Sequence, residues 1–283
     1  MAVSKCKECG RTVIRLSWSQ LRTAAECKQK RFLRVTGVRK AAQDQRLFLP
    51  GNVTDRVVRQ WLKDDPARNV GVMPDMVNAT IDSVREEILA RGERITWKQD
   101  LADRENVRKD CIEAVTKIEP LLLKHVVPFE YEADFRFDAP LRIPRPDGTK
   151  ETLTLIGLMD ILVRDDDGEY HVFDVKHTRD SSYWRKTVGQ LTFYDLATRL
   201  IFGKNTKSTG LLQPLCPKPV HPYEVTDDLR LQMYQRIVGV ANDIWNEDNT
   251  PRSDNKICGY CEVKSACEKF APVLKDGKKR VGF

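Results

Sequence analysis

The sequence predicts a mixed α/β chain, in the broad sense that includes α+β, because three textures follow one another along it. Apolar residues recur at three-to-four spacing through the first 120 residues, alternate strictly from Phe129, and return to helical spacing from Ser182. Helices, then strands, then helices again bury their apolar faces as packed layers. With 283 residues, of which 41% are hydrophobic and 31% charged, the chain can build a core without disulfide staples. That composition excludes a disordered tail, a collagen and a membrane-embedded protein. The longest apolar runs, such as Leu121-Leu122-Leu123 and Ile161-Leu162-Val163, fall far short of the ~20 residues that cross a bilayer. No apolar signal core follows Met1, so the expected compartment is a reducing cytoplasm.

Taken in order, Ser19 to Val35 reads as one basic helix, and Leu49-Pro50-Gly51-Asn52 as a break. Thr54 is then placed to cap a helix carrying Val57, Val58, Trp61 and Leu62, which ends at Asp64-Asp65-Pro66. Val77, Ile81, Val84 and Ile88 mark a second amphipathic helix ending near Gly92; Val107, Cys111, Ile112, Val115 and Ile118 mark a third, stopping near Pro120. From Phe129 to Phe137 apolar and charged residues alternate, as on a strand with one buried face. Pro140 to Gly148 reads as a loop. Leu153 to Val163 and Glu169 to Lys176 are strands about the turn Arg164–Gly168. A helix is expected from Ser182 to Ile201, and a last one from Asp227 to Trp245, capped by Thr226.

Charge is uneven. Lys and Arg total 48 against 41 Asp and Glu, a net of +7, yet residues 1–49 alone hold twelve cations and three acids, a net of +9. The remaining 234 residues therefore carry a net of −2. A basic segment on a nearly neutral body fits either a polyanionic partner, whose phosphates release counterions on contact, or a solvated charged face. Six of the eight cysteines lie near the chain ends: Cys6, Cys9 and Cys27, then Cys258, Cys261 and Cys267. In a reducing compartment such a cluster points to a metal rather than to disulfides. Cys111, on an apolar helix face, reads as a small buried hydrophobe.

The densest chemistry lies in Gly157-Leu158-Met159-Asp160 and Phe173-Asp174-Val175-Lys176. Residues two apart share a strand face, so Asp174 and Lys176 point the same way. A loop Asp166-Asp167-Gly168 pairs the strands symmetrically about residue 167, which sets Asp160 opposite Asp174 with Cβ atoms ~5 Å apart. Two crowded carboxylates repel unless a cation joins them. Mg²⁺ or Mn²⁺ would do so through oxygen ligands and could activate water against a phosphodiester. An ordinary Asp160–Lys176 salt bridge on a polar hairpin is the plainer alternative.

This arrangement resembles the PD-(D/E)xK nuclease superfamily, which sets an Asp at the end of one strand and (Asp/Glu)-x-Lys on the next. Gln190-Leu191-Thr192-Phe193-Tyr194, fourteen residues after Lys176, matches the Gln-x-x-x-Tyr helix of its RecB-type branch, which includes AddB and the CRISPR-associated RecB-like exonucleases. The resemblance implies a restriction-endonuclease-like core with a mixed central sheet flanked by helices. It further implies a metal held by Asp160, Asp174 and the Val175 carbonyl, with Lys176 assisting the attacking water and Gln190 and Tyr194 lining the substrate path. Gly51-Asn52-Val53-Thr54-Asp55 keeps the spacing of an upstream Gly-x-x-x-His but puts Asp55 where the His would be. Asp55 is either a replacement ligand for Mg²⁺ or Mn²⁺, or a helix N-terminal acid favoured by the dipole.

Ser17-Trp18-Ser19-Gln20-Leu21, Cys27 and Phe32 also match the context of the first cluster cysteine in the iron–sulfur branch. With Cys258-x₂-Cys261-x₅-Cys267, the resemblance implies a [4Fe–4S] clasp joining the two ends, with Zn²⁺ as the alternative occupant. Cys6 and Cys9 are candidates for a separate zinc site. In these terms residues 1–49 are a basic N-terminal segment, 50–127 a helical region, 128–225 the nuclease core and 226–283 the C-terminal helix and cluster segment, all one domain with a helical insertion. The activity implied is a metal-dependent DNA exonuclease acting on single-stranded ends, by precedent 5′→3′, in recombination, repair or CRISPR-type processing. Lys186, Arg22, Lys30 and Arg31 are the expected DNA contacts, and protein partners from recombination or CRISPR adaptation are compatible with it. An endonuclease, an end-processing subunit and an inactive DNA-binding module remain alternatives. His177, beside Lys176, is the one histidine close to this chemistry.

Overall fold

A computed structural model describes residues 3–5, 12–38, 44–97, 100–251, 258 and 261–267. Cys6 and Cys9 lie outside them. The chain divides into two units, one of residues 1–42, 137–157 and 228–283, the other of residues 43–136 and 158–227.

In the first unit, β1 (Val3–Lys5) pairs antiparallel with β2 (Thr12–Leu16). Neither strand was expected from the sequence. The expected helix from Ser19 to Val35 is two, α1 (Trp18–Glu26) and α2 (Lys28–Val35), with Cys27 between them in an extended conformation (φ −168°, ψ 122°). Ser17 and Gln20 form a reciprocal capping box at the start of α1. Cys27 closes α1 through its N–H and opens α2 through its sulfur, which accepts from the Lys30 N–H at 3.4 Å. No glycine or proline signals this break, so periodicity alone ran across it.

The strands β3 (Glu130–Pro144) and β4 (Lys150–Arg164) pair as a hairpin, and their turn end lies in this unit. The expected loop from Pro140 to Gly148 is mostly strand. Ala139, Leu141 and Ile143 are buried, while Pro140 and Pro144 point outward, where a missing N–H costs no ladder bond. The turn itself is Arg145–Thr149, with Gly148 at φ 82°. β2 runs parallel to β4, Arg15 beside Thr154 and Leu16 beside Leu155. The last helix, α7 (Asp227–Trp245), has the expected bounds.

In the second unit, α3 (Leu49–Lys63) begins five residues before Thr54, so Pro50 and Gly51 belong to its first turn rather than to a break. Proline is tolerated there because its N–H would be unsatisfied anyway. Thr54 is therefore fully buried inside the helix and is not its cap. α4 (Met73–Ala90) stops before Gly92. α5 (Asp100–His125) runs through Pro120, against expectation. A proline inside a helix costs about 3 kcal/mol, but Ile118, Leu122 and Val126 on either side are fully buried and hold the last turns in place.

The remaining elements are β5 (Tyr170–Val175), α6 (Trp184–Phe202), β6 (Thr206–Leu212) and β7 (Val220–Tyr223), the last two strands not expected. β5 pairs antiparallel with β4, parallel with β6, and β6 antiparallel with β7, which makes the sheet mixed. Val175, Ile161, Val163, Phe173 and Leu212 on one face join Val53, Val57, Trp61, Val77, Ile81 and Ile118 from α3, α4 and α5 in one core. α6 lies on the opposite face, where its Gln190 reaches Asp174. No described helix is long and apolar enough to cross a membrane.

Candidate active site

The hairpin of β4 and β5 has the expected register. Ile161 faces Phe173, and pairing continues to Arg164 and Tyr170 around Gly168, whose φ of 73° supplies the left-handed position of the turn. The next position along this register sets Asp160 against Asp174, and Asp160 Oδ2 accepts the Val175 N–H at 3.0 Å. Asp174 is fully buried and Asp160 partly so. Lys176 Nζ lies 2.6 Å from Asp174 Oδ2, 3.8 Å from Asp160 Oδ2 and donates to the Val175 carbonyl at 3.2 Å. The two anionic side chains and the cationic one therefore converge from adjacent strands.

One face of α6 locks this arrangement from behind. Tyr194 Oη donates to the Leu158 carbonyl at 2.7 Å and accepts from Gln190 Nε2 at 2.8 Å. The other Gln190 amide hydrogen goes to Asp174 Oδ1 at 2.9 Å. Gln190 and Tyr194 thus orient the buried carboxylate; the i, i+4 spacing legible in the sequence is what lets both reach it. Lys186, one turn earlier, points elsewhere: it pairs with Asp180 at 3.2 Å and lies over the Tyr183 ring.

α3 supplies the other wall. Asp55 and Arg59 pair along the helix, and Arg59 also holds Asp134 at 2.8 Å and lies 3.9 Å from Asp160 Oδ1. Asp134, with a left-handed φ of 61°, is pinned from its other oxygen by Lys63 at 2.9 Å. The sequence reading missed Arg59 and Asp134. Arg59 stands one helical turn after Asp55 and could have been found from that spacing; the reversed backbone at Asp134 has no sequence signal. Thr54 Oγ1 pairs with His177 Nδ1 at 2.8 Å, and Gly51 lies against the same histidine, so the upstream helix meets His177 as well as the acids.

Electrostatics follow from burial. Loss of water pushes Asp174 up to about 7, with Asp160 adding to the rise and Lys176 opposing it. Asp55 is pushed up to about 6 by burial and then by Asp160, against the pull of Arg59. Burial works to lower Lys176, but Asp174 and Asp160 outweigh it and hold the ammonium above its ordinary value. Tyr194 is raised by burial and by the two Asp carboxylates, so it stays a neutral donor. His177 is lowered, chiefly by burial.

Among the described residues, no group of three or more His, Cys, Asp or Glu stands arranged to hold a metal. The donor set at the hairpin nonetheless suits a hard dication. It offers two carboxylates and the Val175 carbonyl, and Mg²⁺ commonly takes one or two carboxylates and keeps its waters. Burial makes ionising Asp174 in this pocket unfavourable, and a dication would supply positive charge that opposes that cost.

Cys27, Cys258, Cys261 and Cys267, the four expected to share a cluster, belong to the first unit. Cys261 and Cys267 pack beside Leu33, Val263 and Ala266, and Cys267 Sγ donates to Gln29 at 2.9 Å. Arg34 reaches Glu262 at 3.3 Å. The C-terminal segment thus does meet α2, the helix that Cys27 opens, but through apolar contacts and ion pairs; the iron–sulfur clasp itself is not shown. Of the cations expected to meet DNA, Arg22 is exposed, Lys30 is turned to Glu26 and Glu262, and Arg31 is 3% exposed, with its pKa lowered by desolvation. Arg31 is a buried residue and not a surface contact. Cys111 is fully buried, and burial pushes its thiol up to about 12.

The chain is similar to two solved structures. One is SSO0001, at 18% identity over 88% of this chain and 98% of that one, with a TM-score of 0.36. The other is a "Putative exonuclease" from Eubacterium rectale, at 12% identity over 92% and 88%, with a TM-score of 0.46. No curated protein matches it. The sequence pattern of the PD-(D/E)XK nuclease superfamily matches residues 15–268, a span that includes every residue of the hairpin site, and the chain belongs to that superfamily.

Proposed function

We propose that this protein is a metal-dependent DNA exonuclease of the RecB-like type, acting on single-stranded ends. The convergence of Asp160, Asp174 and Lys176 on adjacent strands is the observation that supports it. Asp160, Asp174 and the Val175 carbonyl would hold Mg²⁺ or Mn²⁺, with Asp55 beside them. The ion would contribute Lewis acidity toward a phosphodiester and its bound water. Lys176 orients that water and stabilises charge developing on the phosphate. Gln190 keeps Asp174 turned toward the pocket, and Tyr194 fixes Gln190. The basic N-terminal region, through Arg22, attracts the strand.

The test is cleavage of 5′- and 3′-labelled oligonucleotides with and without Mn²⁺, beside a closed single-stranded circle. Shortening of linear strands with the circle intact is expected; polarity follows from which label is lost first. Lys176→Ala is expected to reduce cleavage at least 100-fold, in the range for a group acting on transition-state charge, with DNA binding kept. Undiminished cleavage by that variant refutes the site, and cutting of the circle makes the enzyme an endonuclease.

One observation favours a second reading, an inactive DNA-binding module: the Arg59 guanidinium already lies among Asp55, Asp134 and Asp160. Binding without metal-dependent shortening would select it. In either reading we propose that Cys27, Cys258, Cys261 and Cys267 hold a [4Fe–4S] cluster, supported by the meeting of α2 with the C-terminal cysteines. Anaerobically purified protein should then be brown; a colourless preparation with stoichiometric zinc would end that assignment.

A further inference from the structure

The active-site face of the sheet continues past the acids. In the ladder, Asp174 stands beside Leu211, and Leu211 beside His221, so these three side chains form a row across β5, β6 and β7. At ~4.8 Å per strand, His221 lies about 10 Å from Asp174. The row ends in a cavity of about 300 Å³ lined by Trp184, Thr187, Leu191, Lys218, His221 and Tyr223, among others. Thr187 and Leu191 come from the part of α6 that also carries Gln190, so the helix that orients Asp174 also bounds the cavity.

Its lining combines two chemistries. Trp184 and Tyr223 are half-buried aromatics, while Leu191 and Leu211 form a dry floor. Cations stand close by: exposed Lys218 lines the cavity, and the Arg185 guanidinium, outside the lining, lies 5.6 Å from the Trp184 ring centroid. His221 Nε2 is buried without a hydrogen-bond partner among the described residues, a polar contact left unspent beside the apolar floor. A flat, polar-edged ring joined to an anionic chain satisfies all three features. A simple apolar ligand would leave the nitrogen and the cations unused.

We propose that this cavity seats one base of a single-stranded DNA substrate against Trp184 and Tyr223, with Lys218 on the backbone. The proposal rests on the reading that the strand is cut at Asp160, Asp174 and Lys176. It sets the held base about 10 Å from Asp174 by the strand spacing, and it adds a demand for a base where the acids and Lys176 address only a phosphate. Stacking tolerates any base, so the site favours single strands over duplex without selecting sequence.

The experiment uses the full chain in EDTA and two fluorescein-labelled octamers, dT8 and the same backbone with every base removed. Wild type is expected to prefer dT8 by about tenfold in anisotropy titrations, from a stacking contribution of ~1–3 kcal/mol per base. Trp184→Ala should bind both octamers alike, and Trp184→Phe should recover the preference. Equal affinity of wild type for the two strands overturns the pocket and needs no variant, so a misfolded Trp184→Ala does not protect the idea. Full preference retained by folded Trp184→Ala overturns it too. Mn²⁺ is then added to wild type. Cleavage without base preference leaves the nuclease reading standing and removes the pocket, whereas base preference without cleavage removes the nuclease reading and leaves the pocket.

Discussion

Asp174→Asn should stabilise the metal-free protein at pH 8, although it removes half of an ion pair. Asp174 is fully buried, and burial carries its carboxyl from 3.8 to about 7 despite Lys176 at 2.6 Å. A folded-state pKa above the unfolded one means stability is complete below pH 3.8 and is lost as pH rises to about 7. At ~1.4 kcal/mol per unit, a rise of roughly three units amounts to about 4 kcal/mol. Lys176 does not offset this, because its ammonium is raised and stays charged throughout that window. The asparagine gives part of the gain back. Gln190 and Lys176 meet different oxygens of Asp174, of which the asparagine keeps only one, and an unmatched buried donor costs about 1–3 kcal/mol. The net gain at pH 8 is then about 2 kcal/mol, or a melting temperature higher by about 4–8 °C at ~2–4 °C per kcal/mol. Thermal melts of both proteins in EDTA from pH 4 to pH 8 read it directly. The gap should close and reverse toward pH 4, and Mn²⁺ should raise the wild-type melting temperature but not the variant's. A variant less stable than wild type at pH 8 in EDTA, or a gap indifferent to pH, would refute the argument that the buried acid is strained by its own charge.

Arg59→Met removes the cation that opposes burial at Asp55, so the Asp55 carboxyl should move above its present value of about 6. If cleavage needs Asp55 ionised, the acid limb of its pH profile should shift upward, as a rate–pH series in Mn²⁺ would show; an unmoved limb excludes that role. Gly157→Ala places a Cβ 2.5 Å from Phe137 Cζ and 2.7 Å from Cε1, and Phe137 is only 3% exposed. Denaturant titration should show a loss of about 1–3 kcal/mol, as for other overpacked cores. Adding Phe137→Leu should recover part of it, and no recovery would place the strain elsewhere.

Much of the site was legible along the chain because its parts are local. A hairpin with Gly168 at its turn has one register, and that register alone sets Asp160 beside Asp174 and turns Lys176 to the same face. Helical spacing likewise tied Gln190 to Tyr194, and apolar periodicity marked α4 and α7 closely. Where signals competed, packing decided: Pro120 reads as a stop, yet α5 continues through it because its neighbours are buried. Pro140 reads as a loop, yet its outward position lets β3 run on. Arg59 and Asp134 entered the site only in three dimensions, since nothing between residues 59 and 134 shows that a helix and a strand will bring their charges within 2.8 Å. The burial of Arg31 was equally invisible, because charge counted along a sequence does not say which cations face water. Short-range geometry follows from residue order, whereas the desolvation that raises Asp174 depends on which distant segments close over it.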